Sequence, residues 1–285
     1  MAFDYDHLMA YPIPEGRQVV TPERAMLYAL GIGLGGDPTD ATELPFVYED
    51  GLAVFPSMAV VLGHPGFWVK NPDTGVDWTR ILHGEQSMVL HRPIPIGAEI
   101  VGRTRITDIL DKGPDKGALI VQRREVTEAK SGAAICTLTM TTFARGDGGC
   151  GGPGGRAPKP HPLPERPPDG AVDLPTLPQA ALIYRLSGDF NPLHADPAVA
   201  ARAGFERPIL HGLATFAVAT RAILGALCDM DPTRLRRQDV RFSAPVYPGE
   251  TIRTEYWRDG ATISYRALAL ERNVVVLNNG LAEIS

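Results

Sequence analysis

Alternation of apolar and polar positions runs through most of this chain. In its first half Glu99 to Asp111, Ala118 to Glu128 and Ala133 to Phe143 alternate; in its second half Thr251 to Trp257, Thr262 to Leu270 and Asn273 to Leu277 do the same. A period of two sends successive side chains to opposite faces, so each run predicts a strand. Turns such as Asp111-Lys112-Gly113 and Asp259-Gly260 separate the runs and predict antiparallel neighbours. One stretch breaks the pattern. From Leu213 to about Leu227 the chain is apolar nearly all round, with Phe216, Val218, Ile223 and Leu224 on different faces, which predicts a buried helix. Shorter helices are predicted from a Thr21 cap with Pro22 through Leu30, and after an Asp196 cap with Pro197, over Ala198 to Ala203, closed by Gly204. Pro56 to Leu62 reads as another short apolar segment.

Between Arg145 and Asp173 the sequence turns into glycine and then proline, a composition with few apolar groups to pack. It predicts a linker over 146–173, between a first half at 1–145 and a second at 174–285. The halves echo each other. Ile81-Leu82-His83-Gly84 recurs as Ile209-Leu210-His211-Gly212, and Pro93-Ile94-Pro95-Ile96-Gly97 is matched by Pro245-Val246-Tyr247-Pro248-Gly249. The shared order predicts a duplication, with antiparallel strands wrapped on a helix twice over, an α+β architecture. The span from His-Gly to Pro-Gly is much shorter in the first half (Gly84 to Gly97) than in the second (Gly212 to Gly249), so the first half's helix must come earlier.

The candidate chemistry lies just before the apolar helix. Tyr184-Arg185-Leu186-Ser187-Gly188-Asp189-Phe190-Asn191-Pro192-Leu193-His194 sets a carboxylate and an imidazole five residues apart. On a helix that spacing would splay them, but Gly188 and Pro192 predict an irregular loop that lets Asp189 and His194 converge as an acid/base couple. The competing reading is a pair of ordinary loop residues. Asn191 has two roles open to it, holding the loop or binding a water. Gly212 offers a backbone N–H at a helix start, where unpaired donors and partial positive charge suit an oxyanion.

Composition narrows the classes. A net charge of -5 and a pI near 5.8 speak against nucleic acid as partner, and the short cluster Arg234, Arg236 and Arg237 reads as a solvated helix end. Cys136, Cys150 and Cys228 are too scattered for a disulfide framework or a metal knuckle, which suits a reducing compartment. No signal peptide, membrane span or peroxisomal tripeptide is read, so the expectation is a cytoplasmic chain without a membrane partner. Gly31-Ile32-Gly33-Leu34-Gly35-Gly36 spells a dinucleotide fingerprint, but it ends a helical segment instead of opening one. No serine-hydrolase elbow or zinc-protease motif is present.

The phrase YRLSGDFNPLHADP followed by GFERPILHGLATFA resembles the signature of hydratase 2, the (R)-specific enoyl-CoA hydratases of the MaoC-like, hot-dog-fold group, and in particular the hydratase region of peroxisomal multifunctional enzyme type 2. The resemblance implies a double hot-dog fold with a catalytic second half and a degenerate first half, whose shortened helix leaves room for bulky acyl chains. It implies reversible syn hydration of a trans-2-enoyl-CoA to the (3R)-3-hydroxyacyl-CoA by Asp189 and His194 acting on one water. It also places His83, Gly84, Lys112 and Phe242 along the acyl-CoA site, with no cofactor beyond the CoA of the substrate. Two rivals come with the fold: a hot-dog acyl-CoA thioesterase, and a non-catalytic acyl-CoA-binding or assembly subunit. Pairing into a homodimer is left open.

Overall fold

The computed structural model describes residues 3–152 and 159–285. In chain order its regular elements are helix α1 (Tyr5–Met9), strand β1 (Gly16–Val19), helix α2 (Pro22–Gly31), strands β2 (Ile81–Leu90), β3 (Glu99–Asp111), β4 (Ala118–Glu128), β5 (Ala134–Ala144) and β6 (Gly170–Pro175), helices α3 (Ala180–Tyr184), α4 (Pro197–Arg202) and α5 (Gly212–Leu227), and strands β7 (Leu235–Phe242), β8 (Thr251–Asp259), β9 (Thr262–Ala269) and β10 (Val274–Ile284).

All ten strands join one antiparallel sheet in the order β1-β3-β4-β5-β2-β7-β10-β9-β8-β6. Outward from the central β2–β7 pair, the two sides repeat the same rank order of strands. The two side-by-side sheets of the expected double hot dog are continuous: the halves join along β2 and β7, in register from Glu85 opposite Arg241 to Val89 opposite Arg237. Arg241 closes this seam by donating from Nη2 to Glu85 Oε1 at 2.6 Å.

The repeated Ile-Leu-His-Gly phrase falls on different elements. His83 and Gly84 lie within β2, whereas His211 caps α5 and Gly212 begins it. The Pro-Gly phrases do occupy corresponding places, between β2 and β3 and between β7 and β8. This explains the unequal spans, because the first phrase starts a strand and the second a helix.

Helix α5 is the spine of the second half. Residues Ala214–Thr220 and Ala222–Leu224 are buried, packed against β6, β7 and β8. Complete burial of Phe216, Ile223 and Leu224 contributes about 1.5–3 kcal/mol each. Among its described residues the first half has no buried helix of this length. Instead the 3-10 helix Pro56–Val61 lies between β2 and α5, started by a proline and ended by Leu62 in extended backbone. Gly63 then turns with φ +57°, and at Gly102 an added Cβ would lie 2.1 Å from the Gly63 oxygen, so this crossing requires glycine. Arg124 on β4 donates from Nη2 to the carbonyl of Val60 at 2.7 Å, at the end of that short helix.

The glycine- and proline-rich stretch is anchored at both ends. Asp147 is buried and accepts from the Asp77 N–H, and Gly149 and Gly151 donate to Asp111. Beyond it, His161 reaches Ser264 Oγ at 2.8 Å and the carbonyl of Arg166 accepts from Trp257 Nε1 at 2.7 Å before the chain enters β6. Backbone polar groups and lone side chains do this anchoring, which an apolar pattern does not register. The part of the predicted linker at 153–158 lies outside the described residues. Among the described residues no helix is long and apolar enough to cross a membrane.

Candidate active site

Two histidines tie the loop ahead of α4 to the start of α5. His194 ends the 3-10 turn Pro192–His194 and is buried; its Nδ1 lies 2.8 Å from the carbonyl oxygen of Ile209. A carbonyl only accepts, so Nδ1 carries the proton and Nε2 keeps its lone pair. His211 does the reverse. Its Nε2 donates to the backbone carbonyl of Asp189 at 3.1 Å, and its Nδ1 is buried with no partner. The two imidazoles stack with centroids 3.7 Å apart, and the tilted ring of Tyr184 lies 5.0 Å from that of His211.

Between these anchors the loop shapes itself. Gly188 has φ +127°, where side-chain-bearing residues are strained. Asp189 Oδ1 accepts the N–H of Asn191 at 3.1 Å, and Asn191 Oδ1 accepts the N–H of Leu193 at 3.1 Å, capping the turn that presents His194. Of the two roles open to Asn191, its side-chain oxygen performs the loop-holding one. Asp189 is exposed while both histidines are buried. Donor atoms of Asp189, His194 and His211 all lie within 4.8 Å of one another.

Burial disfavours a charged imidazole and lowers the pKa of His194; the Ile209 carbonyl and the Asp189 carboxylate pull it up again, against Arg185. His211 is brought down to about 4, by burial first and by the neighbouring His194 second. Near neutral pH both rings are uncharged, and His194 Nε2 is a free base beside a carboxylate. A metal bound by both rings fits poorly. Their ring centroids lie 3.7 Å apart at an interplanar angle of 25°, so an ion at about 2.1 Å from a nitrogen of each ring would lie out of at least one ring plane.

The other predicted residues divide into two groups. Phe242, the last residue of β7, stands between His83 and Gly212. Its ring centroid is 4.6 Å from that of His83, and a Cβ added at Gly212 would lie 3.1 Å from Phe242 Cε1. Gly212 is the first residue of α5, so its N–H has no intrahelical acceptor, and His211 at the N-cap makes no side-chain capping bond. His83 Nε2 is buried without a partner, and burial lowers its pKa to about 4, opposed by the Glu85 backbone and the Asp189 carboxylate. Gly84 follows it at a shift in the β2–β5 register. Lys112 stands apart, just past the end of β3, with Nζ 4.9 Å from the Phe143 ring centroid. Phe143 pairs with Leu82, next to His83, so Lys112 shares this end of the sheet without touching the histidine pair.

His211 is the site residue that sequence reasoning missed. The His-Gly pair was read for its glycine; the signal was a histidine at the N-cap of a largely apolar helix, where a side chain turns back toward the preceding loop.

Comparison with known proteins agrees with this architecture. The MFE-2 hydratase 2 N-terminal domain matches residues 19–146 and the MaoC like domain matches residues 160–279. The chain is 38% identical to peroxisomal enoyl-CoA hydratase 2 of Arabidopsis thaliana, over 96% of this chain and 94% of that protein. It is 36% identical to peroxisomal multifunctional enzyme type 2 of Mus musculus, over 97% of this chain but 38% of that longer protein. The crystal structure of a MaoC-like dehydratase from Phytophthora capsici superposes with a TM-score of 0.86 at 33% identity, covering 99% of each chain. The ten-stranded arrangement is a double hot-dog fold. With both halves matched in order and whole relatives covered nearly end to end, the chain belongs to the hydratase 2 family of MaoC-like proteins.

Proposed function

We propose that this enoyl-CoA hydratase adds water reversibly, in the syn sense, to a trans-2-enoyl-CoA to give the (3R)-3-hydroxyacyl-CoA. The observation that carries the mechanism is the bond from His194 Nδ1 to the Ile209 carbonyl, which leaves Nε2 as a lone pair next to the Asp189 carboxyl group. A water between them loses a proton to Nε2 as its oxygen bonds to C3; the proton passes from His194 to the Asp189 carboxylate, which delivers it to C2 from the same face. Both groups end as they began, so the sum is one water added across one double bond. Charge that builds on the thioester oxygen meets the Gly212 N–H at the positive end of α5. His83 from the first half and Phe242 from the second line the approach, and Lys112 has the charge to meet a CoA phosphate at the same sheet end. The reaction drawn this way uses no group beyond the CoA of the substrate.

The test follows a medium-chain trans-2-enoyl-CoA by loss of conjugated thioester absorbance and, in parallel, by free thiol. Absorbance loss without thiol, a (3R) product, and loss of activity in Asp189→Asn and His194→Ala are the expected results. Thiol release would make the protein a thioesterase, and no turnover at any chain length would make it a binding subunit. A cytoplasmic location and a homodimer are further expectations, read by cell fractionation and by the mass of the purified protein in solution; the Arabidopsis and mouse relatives are peroxisomal by name.

A further inference from the structure

A cavity of about 350 Å³ opens between the halves at the end of the seam opposite the histidine pair. Leu90, the last residue of β2, and Leu235, the first of β7, line it, whereas His83 and Phe242 lie at the other ends of these strands. At about 3.3 Å per residue, the seven residues from His83 to Leu90 span roughly 23 Å. The volume falls in the range of small-molecule sites, about 300–1,000 Å³.

Its walls are apolar, from Leu52, Val54, Leu90, Ile94, Ile96 and Leu235, and two guanidinium groups, Arg92 and Arg236, join them from different halves. Arg92 spends Nη2 on Glu128 at 3.0 Å, yet its Nε is buried without an acceptor. In the arginine cluster on the other side, Arg234 pairs with Asp229, and Arg237 pairs with Asp239 and Glu283. Arg236 is exposed and meets no carboxylate among the described residues. Contrary to the reading of a solvated helix end, Arg236 and Arg237 lie on β7, with Arg236 at the cavity. An apolar chamber with an unspent buried N–H and an unpaired cation is complementary to a ligand with an apolar body and one anionic oxygen pair. A buried donor left unpaired is costly, and a carboxylate would satisfy it while lending Arg236 a counter-charge.

We propose that this cavity is a second binding site, separate from the reacting centre, for an amphipathic monocarboxylate such as a free fatty acid of medium length, its carboxylate on Arg92 and Arg236 and its chain between Leu90, Ile94 and Leu235. Decanoate titrated calorimetrically into the full-length protein provides the test, which needs no turnover. A saturable single site is expected, at least tenfold weaker in Arg236→Glu, lost in Leu90→Trp, and at least tenfold weaker for 1-decanol. Arg236 is exposed and its exchange leaves the core intact, so the charge requirement is read even if the Trp variant folds poorly. Saturating enoyl-CoA on the Asp189→Asn protein should leave decanoate bound. Unchanged affinity in Arg236→Glu, equal binding of decanol, no binding at all, or displacement by the enoyl-CoA would each overturn the proposal; displacement would assign the decanoate to the substrate site.

Discussion

Replacing His211 by phenylalanine separates the two things this residue does. The ring still packs against His194 and Tyr184, at 3.7 and 5.0 Å in the native protein, but the donor to the Asp189 carbonyl is gone. A neutral hydrogen bond contributes about 1 kcal/mol net, with a range of about 0.5–1.5 kcal/mol. If that energy serves to hold Asp189 in place for proton transfer, kcat should fall roughly three- to tenfold, since about 1.4 kcal/mol corresponds to a factor of ten in rate. KM should move less than about twofold, because His211 is 2% exposed and presents little to a substrate. Stability should change little. The variant deletes a buried Nδ1 that has no partner, and water can reach the exposed Asp189 loop. The assay is steady-state hydration with a thermal unfolding control, and His211→Gln, which keeps a donor, should recover part of the loss. An unchanged kcat would refute the positioning role; a loss beyond about a thousandfold would refute it as well, because it would make His211 a proton carrier.

Acid should weaken the fold through the histidines. The folded pKa of His211 is about 4, below its ordinary 6.5, so the unfolded chain takes up the proton first as pH falls. The stabilisation is complete above pH 6.5 and is lost toward pH 4, on the order of 3 kcal/mol for this buried ring; urea unfolding at pH 7 and 4.5 should show the drop, and His211→Phe should reduce it. Gly212→Ala places a methyl 3.1 Å from Phe242 Cε1 and pushes the ring against His83, so kcat/KM should fall at least about tenfold, with partial recovery when Phe242→Leu is added. Glu43→Gln leaves Arg221 on α5, whose side chain is 14% exposed, without its carboxylate and should cost about 3 kcal/mol in urea unfolding; the double change Glu43→Leu with Arg221→Met should cost less.

Strands with one apolar face were legible in the sequence to within a residue or two: β3 and β4 begin and end where the alternation does. The seam strands were not, and the reason is chemical. Each carries a glutamine where an apolar residue would complete the period. Gln86 is 3% exposed, and Gln238 is fully buried, with Oε1 accepting from Thr220 and Nε2 donating to the Tyr265 hydroxyl. A buried amide with its hydrogen bonds made is as much a core residue as a valine, but a hydropathy pattern scores it as surface. The shape of the loop from Gly188 to His194 was legible because Gly188, Asn191 and Pro192 are each demanded by local backbone geometry, which a short phrase records. The role of His211 was not, since it depends on a contact across 22 residues of chain. The approach of Phe242 to His83 depends on the pairing of β7 with β2, which no local pattern encodes.

The sheet ends in two blunt edges. Of its ten strands, the outermost are β1, with four residues, and β6, with six and a terminal proline. Short edges that carry charges such as Arg17 and Asp173 give an incoming strand little to hydrogen-bond, and Pro175 has no N–H to offer. The internal β2–β7 pairing has therefore used the one long edge that each half possesses. Fusing two halves in one chain converts a strand-to-strand association into part of the fold and disarms it as a route to aggregation. Neither outer edge offers a second copy a long row of free backbone partners for extending the sheet.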